Sequence, residues 1–124
     1  MEYNKQTKIA IVGVSKDPEK YGHKIFRDLL ANSYSITGLN RKGGELLGEK
    51  IYKSLFDLTE KPELVIFVLP PKIGILVLKQ IKKLGIKNVW LQPGASSEEM
   101  VLFAKENDIN LVNTSCFMVE QGIW

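Results

Sequence analysis

The chain has one cysteine, Cys116, among its 124 residues, so no intramolecular disulfide can staple it. That suits a reducing compartment, and the sequence reads as cytoplasmic. It has one histidine, His23, and no His/Cys/Asp cluster at metal-ligand spacing, which argues against a metal centre. No apolar run approaches the ~20 residues that cross a bilayer. The opening Met1-Glu2-Tyr3-Asn4-Lys5-Gln6 is polar and no apolar h-region follows it. Neither a membrane segment nor a signal peptide is therefore expected. Charge of one sign is also scarce: 17 Lys and Arg against 14 Asp and Glu leave a net +3. That excess, with no basic stripe interleaved with aromatics, is too thin for a dedicated nucleic-acid binder but suits a small anionic ligand. Neither Gly-x-Gly-x-x-Gly nor the P-loop pattern occurs. No repeat, low-complexity tract or linker divides the chain, so one domain over residues 1–124 is expected, with its core at about 8–120.

What is present is a regular alternation. Residues 8–12 hold the continuous apolar run Ile9-Ala10-Ile11-Val12, which suits a strand of a parallel sheet covered on both faces. Ile25, Phe26, Leu29 and Leu30 then have helical spacing and predict a helix over about 22–32, stopped at Asn32-Ser33. Residues 35–39 form a second strand, followed by a polar Gly-containing loop, a short extended piece at 50–52 and a helical turn near 54–58. A third strand at 64–69 ends at Pro70-Pro71, because proline cannot donate to a ladder. Ile73, Leu76, Val77, Ile81 and Leu84 trace a helix over about 72–84 that stops at Gly85. A fourth strand follows at 88–91. Ser96 and Glu99 resemble a capping box for a helix running to about 107. A fifth strand lies at 110–112, and residues 113–124 read as a tail with one short turn, ending in a mobile Trp124. Strands alternating with helices at this interval define an α/β, Rossmann-like, doubly wound parallel sheet of five strands, for which the order 3-2-1-4-5 is expected.

In such a sheet ligands bind beyond the carboxyl ends of the strands. Four loops here lie at those ends. Gly13-Val14-Ser15-Lys16 opens the first, leading through Lys20 and Tyr21 to a helix N-terminus, where free N–H groups and the helix dipole favour anions. Gly13 permits close approach, Ser15 offers a hydroxyl, and Lys16, Lys20 or His23 can add charge. After the second strand, where an NAD site carries Asp or Glu for the ribose hydroxyls, this chain has Asn40-Arg41-Lys42. Two cations there favour a phosphorylated ribose, as in NADP or coenzyme A. Pro70 and Pro71 form a rigid apolar wall at the third strand end. Gln92-Pro93-Gly94 precedes another helix and supplies an amide and a flexible backbone. Cys116 falls near the same edge, either as a small buried hydrophobe or as a redox-active thiol.

Several stretches together resemble a known family. They are Ile11-Val12-Gly13-Val14-Ser15 with Pro18-Glu19-Lys20-Tyr21-Gly22, then Gly48 before Ile51-Tyr52-Lys53-Ser54-Leu55, then Val68-Leu69-Pro70-Pro71. Val89-Trp90-Leu91-Gln92-Pro93-Gly94 and Cys116 with Glu120 complete the set. In this order and spacing the chain resembles the small stand-alone CoA-binding domain proteins, from Lys8 to Glu120. These are similar in turn to the N-terminal domain of the succinyl-CoA synthetase alpha subunit. The resemblance implies coenzyme A or acyl-CoA as the ligand, with Gly13, Ser15 and Lys16 at the phosphates. It also implies Lys42 or its neighbour Arg41 at the adenosine end, Pro70 and Pro71 along the nucleotide, and Gln92-Pro93-Gly94 toward the thiol arm. Many members have Asn-Pro after the second strand, whereas Asn40 here precedes Arg41. The synthetase performs catalysis with a phosphorylated histidine in a second domain and an ATP-grasp partner, and neither is present in this sequence. The expected function is therefore CoA binding without catalysis, as a carrier, sensor or regulatory module. The alternatives are an NADP-dependent reductase-like protein and a nucleotide-responsive interaction module.

Overall fold

The apolar runs seen in the sequence become the centre of a seven-stranded sheet in a computed structural model, which describes residues 2–124. In chain order the elements are β1 (Ile9–Val12), α1 (Tyr21–Ala31), β2 (Ile36–Leu39), β3 (Gly44–Leu46) and β4 (Glu49–Tyr52). After a 3₁₀ turn at Leu55–Asp57 come β5 (Leu64–Phe67), α2 (Pro71–Leu84), β6 (Asn88–Leu91), α3 (Glu98–Glu106), β7 (Asn110–Val112) and α4 (Phe117–Glu120). The order across the sheet is β3-β4-β2-β1-β5-β6-β7. Every neighbouring pair is parallel except the β3–β4 hairpin.

β1 and β5 are buried along their whole length, which is why their sequences run apolar without alternation. Their side chains divide between two cores. Ala10, Val12, Val65, Phe67, Val89 and Leu91 pack with Ile75, Leu78 and Ile81 of α2 and Met100 and Ala104 of α3. Ile9, Ile11, Leu64, Ile66 and Trp90 pack with Ile25, Phe26 and Leu29 of α1 and Phe117 and Met118 of α4. Each large apolar side chain so buried contributes roughly 1.5–3 kcal/mol, enough to hold the sheet without a covalent staple.

Three expectations change. The sheet has seven strands rather than five. The two added strands form a hairpin whose turn is Leu47-Gly48, with φ of +52° and +81°. The extended piece expected at 50–52 is most of β4, but such turns ordinarily carry Asn-Gly or Asp-Gly and the flanking strands are largely exposed at the sheet margin, so neither turn chemistry nor alternation announces β3 or the hairpin. The order 3-2-1-4-5 also fails for the strands assigned from sequence. Leu64–Phe67 lies beside β1, and the place outside β2 is taken by Glu49–Tyr52. Finally, α3 is capped by Ser97, not Ser96: the Ser97 Oγ accepts the Met100 N–H at 3.2 Å.

Candidate ligand cleft at the sheet edge

Beyond the carboxyl ends of β1, β2, β5 and β6 lies a cleft of about 920 Å³. Twelve of the thirteen residues singled out for cofactor binding line it: Gly13, Val14, Ser15, Lys16, Tyr21, Asn40, Arg41, Lys42, Pro70, Pro71, Pro93 and Gly94. Lys20, Asp17 and Gly22 line it as well, as do Val68, Leu69, Ile73 and Ala95, which were not singled out as ligand contacts from the sequence. Gln92 and Cys116 are not among the lining residues.

The β1–α1 loop is shaped by two glycines. Gly13 has φ +102°, and a Cβ there would lie 2.8 Å from the Val68 carbonyl oxygen. A Cβ on Gly22 would lie 2.1 Å from the Gly13 carbonyl oxygen. The start of α1 thus sits directly on the loop, a close approach that the familiar dinucleotide fingerprint achieves with glycines spaced differently. The Gly13 and Val14 N–H groups both donate to the Leu39 carbonyl, so these two amides knit β1 to β2. For a ligand the loop offers the Ser15 hydroxyl and the start of α1. The Ser15 Oγ accepts the Asp17 N–H at 3.1 Å and keeps its own proton to donate. No side chain caps α1, and its first turn holds no acidic residue. The buried His23 donates from Nδ1 to the Ser15 carbonyl at 2.9 Å and steadies the loop from below.

Asn40 joins the two cationic loops. Its Nδ2 donates to the Val14 carbonyl at 3.0 Å, and its Oδ1 accepts the Lys42 and Gly43 N–H groups at 3.0 and 2.7 Å. This explains why Asn stands here without the proline that often follows it: the side chain itself closes the turn. The Lys16 ammonium reaches across to Gly44, where it lies 2.9 Å from the position a Cβ would take. Lys16, Lys20, Arg41 and Lys42 therefore share one side of the cleft, and none of the four is in an ion pair among the described residues.

On the β5 and β6 side every lining side chain is apolar or absent: Val68, Leu69, Pro70, Pro71, Ile73, Pro93, Gly94 and Ala95. Pro71 is the first residue of α2, where its missing N–H costs nothing and its fixed φ starts the helix.

Behind Tyr21, Gln92 and Cys116 form a connected group. The Gln92 Nε2 donates to the Tyr21 hydroxyl at 2.9 Å and to the Cys116 Sγ at 3.4 Å, while its Oε1 accepts the Phe117 N–H at 2.8 Å. With that hydroxyl accepting from Gln92, its proton is directed to the Cys116 Sγ, 3.4 Å away. Burial works to raise the Cys116 pKa, but hydrogen bonds from Tyr21, the Val119 amide, Gln92 and the Met118 amide bring it below the ordinary thiol value. Burial, and then the bond to Cys116, raise the Tyr21 phenol. Gln92, expected from sequence to face a ligand, instead fastens the wall that Tyr21 presents. Its direction was legible: it continues the period-two face of Trp90, toward α1 and α4.

The fold and this edge define a Rossmann-like α/β domain with a ligand cleft of mixed chemistry at the carboxyl ends of its parallel strands. The chain belongs to the CoA-binding domain family, whose model matches residues 7–122. Among curated proteins it is 28% identical over 116 residues to the ADP-forming acetate–CoA ligase of Methanocaldococcus jannaschii, covering 87% of this chain and 16% of that one. It is 27% identical over 119 residues to the alpha subunit of ADP-forming acetate–CoA ligase II of Pyrococcus furiosus, covering 87% and 26%. The chain thus spans about a quarter or less of the length of these curated relatives. Among solved structures, a conserved hypothetical protein from Pyrococcus furiosus superposes with a TM-score of 0.88 at 39% identity, covering 92% of this chain and 98% of that one. No helix among the described residues is long and apolar enough to cross a membrane.

Proposed function

We propose that this chain binds coenzyme A or an acyl-CoA in the cleft and acts as a non-catalytic carrier, sensor or regulatory module. The observation that carries this reading is the division of the cleft: four cations, without ion-pair partners among the described residues, against the one carboxylate of Asp17 on one side, and an apolar wall on the other. A CoA molecule has the same division, with phosphates at one end and an uncharged pantetheine arm. Lys16, Lys20, the Ser15 hydroxyl and the start of α1 take the diphosphate. Arg41 and Lys42 take the phosphorylated ribose. Val68, Leu69, Pro70, Pro71 and Ile73 receive adenine and the arm, and Pro93-Gly94 leaves backbone room for the thiol end. The part of the longer relatives that this chain matches is described by the same CoA-binding family model, which supports the binding reading.

Cys116 serves this reading as a redox readout. Its thiolate attacks CoA disulfide, forming a protein–CoA disulfide and releasing one CoA thiol. Mass spectrometry after CoA disulfide treatment gives an adduct of CoA mass on Cys116, and its absence removes this role.

Calorimetric titration with CoA, NADP and ATP tests the main reading. Micromolar CoA binding that weakens in Arg41→Ala or Lys42→Ala supports it. NADP heat with no CoA heat transfers the cleft to a reductase-like reading.

A further inference from the structure

The segment after β7 is docked rather than mobile. It carries α4, and Gly122 at φ +73° turns the chain back from that helix. The Gly122 N–H donates to the Val119 carbonyl and the Ile123 N–H to the Met118 carbonyl, the paired bonds of a Schellman ending. That ending delivers Trp124 onto α1. The indole N–H donates to the Asp28 Oδ2 at 2.7 Å, and the indole ring meets the Tyr21 ring at 5.5 Å between centroids and 45° between planes. Asp28 and Tyr21 are seven positions apart on α1, hence two turns apart on one face. Asp28 is in turn clamped by the Arg27 guanidinium at 2.7 and 3.3 Å, which fixes the carboxylate that holds the indole.

We propose that Trp124 is a positioning residue for the cleft: anchored on Asp28, its ring braces Tyr21 and so aims the Tyr21 hydroxyl at Cys116. Tyr21 is the first residue of α1; Gln92 holds its hydroxyl, and Trp124 meets its ring. The brace comes from outside. Tyr21 lines the cleft on one edge and touches Cys116 and Gln92 through its hydroxyl, so the brace sets both the cleft wall and the state of the thiol behind it. Around the Cys116 Sγ the contacts are the Tyr21 hydroxyl from α1, the Gln92 amide after β6 and the Met118 and Val119 amides of α4. Tyr21 is the titratable group among them, and Asp28 is not one of them. The effect on ligand binding rests on the CoA reading, whereas the bracing itself is measured in free protein.

The test is the pH profile of iodoacetamide alkylation of Cys116 in wild type, Trp124→Ala, Trp124→Phe and Asp28→Leu, without ligand. In Trp124→Ala the half-rate pH moves upward and the rate at neutral pH falls about threefold, as a lost hydrogen bond lowers the thiolate fraction. Trp124→Phe keeps a ring against Tyr21 but loses the N–H bond to Asp28, so its profile shifts in the same direction as that of Asp28→Leu and by less than that of Trp124→Ala. Asp28→Leu releases the indole anchor and moves the profile the same way as Trp124→Ala. An unchanged half-rate pH in a folded Trp124→Ala overturns the proposal, even if alkylation quickens through exposure. If that variant does not melt cooperatively, an unchanged profile in Asp28→Leu overturns it instead. Failure of the wild type to bind CoA would remove the proposed function while leaving this profile to decide the brace.

Discussion

The two sides of the cleft are made by opposite means. On the β1 and β2 side the backbone is locked by the side chains of Asn40 and His23, while four cations have no ion-pair partner among the described residues. On the β5 and β6 side the backbone is stiffened by proline, and the exposed groups are hydrocarbon. The first side costs the folded protein charge repulsion that an anion relieves. The second exposes apolar area that a ligand covers. The lesson is that affinity and stability are separable on one side and joined on the other.

The largest effect belongs to the seam between the sides. Gly22→Ala places a methyl group on the Gly13 carbonyl, and Gly13→Ala adds a positive φ to a clash with Val68. Each lowers unfolding free energy by roughly 2–4 kcal/mol, read by denaturant titration. An unchanged midpoint would mean that the loop and helix are not in contact. Asn40→Ala comes next. It removes three hydrogen bonds to the loops, costs about 1–3 kcal/mol and weakens CoA binding even at high salt, because the cations lose their register.

Arg41→Ala and Lys42→Ala then separate the two sides. Each weakens CoA about tenfold at low salt, with melting unchanged, and the loss shrinks as salt rises. Ile73→Ala on the other side weakens CoA by a smaller factor that salt does not alter. Equal salt dependence for Ile73→Ala and Lys42→Ala would erase the comparison. The smallest effect is in Tyr21→Phe. Loss of its hydrogen bond removes one of four that oppose burial at Cys116, so the thiol pKa rises and the alkylation profile shifts to higher pH. A downward shift would show that Tyr21 does not stabilise the thiolate.

Much of this was legible in the residues. Ile9–Val12 and Leu64–Phe67 are apolar throughout because both faces are covered, and β6 follows the same reason over residues 89–91. Arg41 and Lys42 stand out because an acidic residue is the ordinary occupant of that place. Other features had no local signature. The β3–β4 hairpin turns on Leu47-Gly48, with a leucine in the left-handed region that only the folded chain selects. Val68, Leu69 and Ile73 read as core continuation, since apolar residues lining a cleft and apolar residues filling a core have the same periodicity. Trp124 carries no pattern at all: its place depends on Asp28, 96 positions away in the chain.

The contact between Gly13 and Gly22 also has an engineering meaning. It fixes two posts, and between them Asp17-Pro18-Glu19 forms an exposed span that no core residue holds. Lengthening or shortening that span changes how far Lys16 and Lys20 extend while both posts stay put. One backbone can thereby be refitted to anionic molecules of different reach, with the sheet beneath it left untouched.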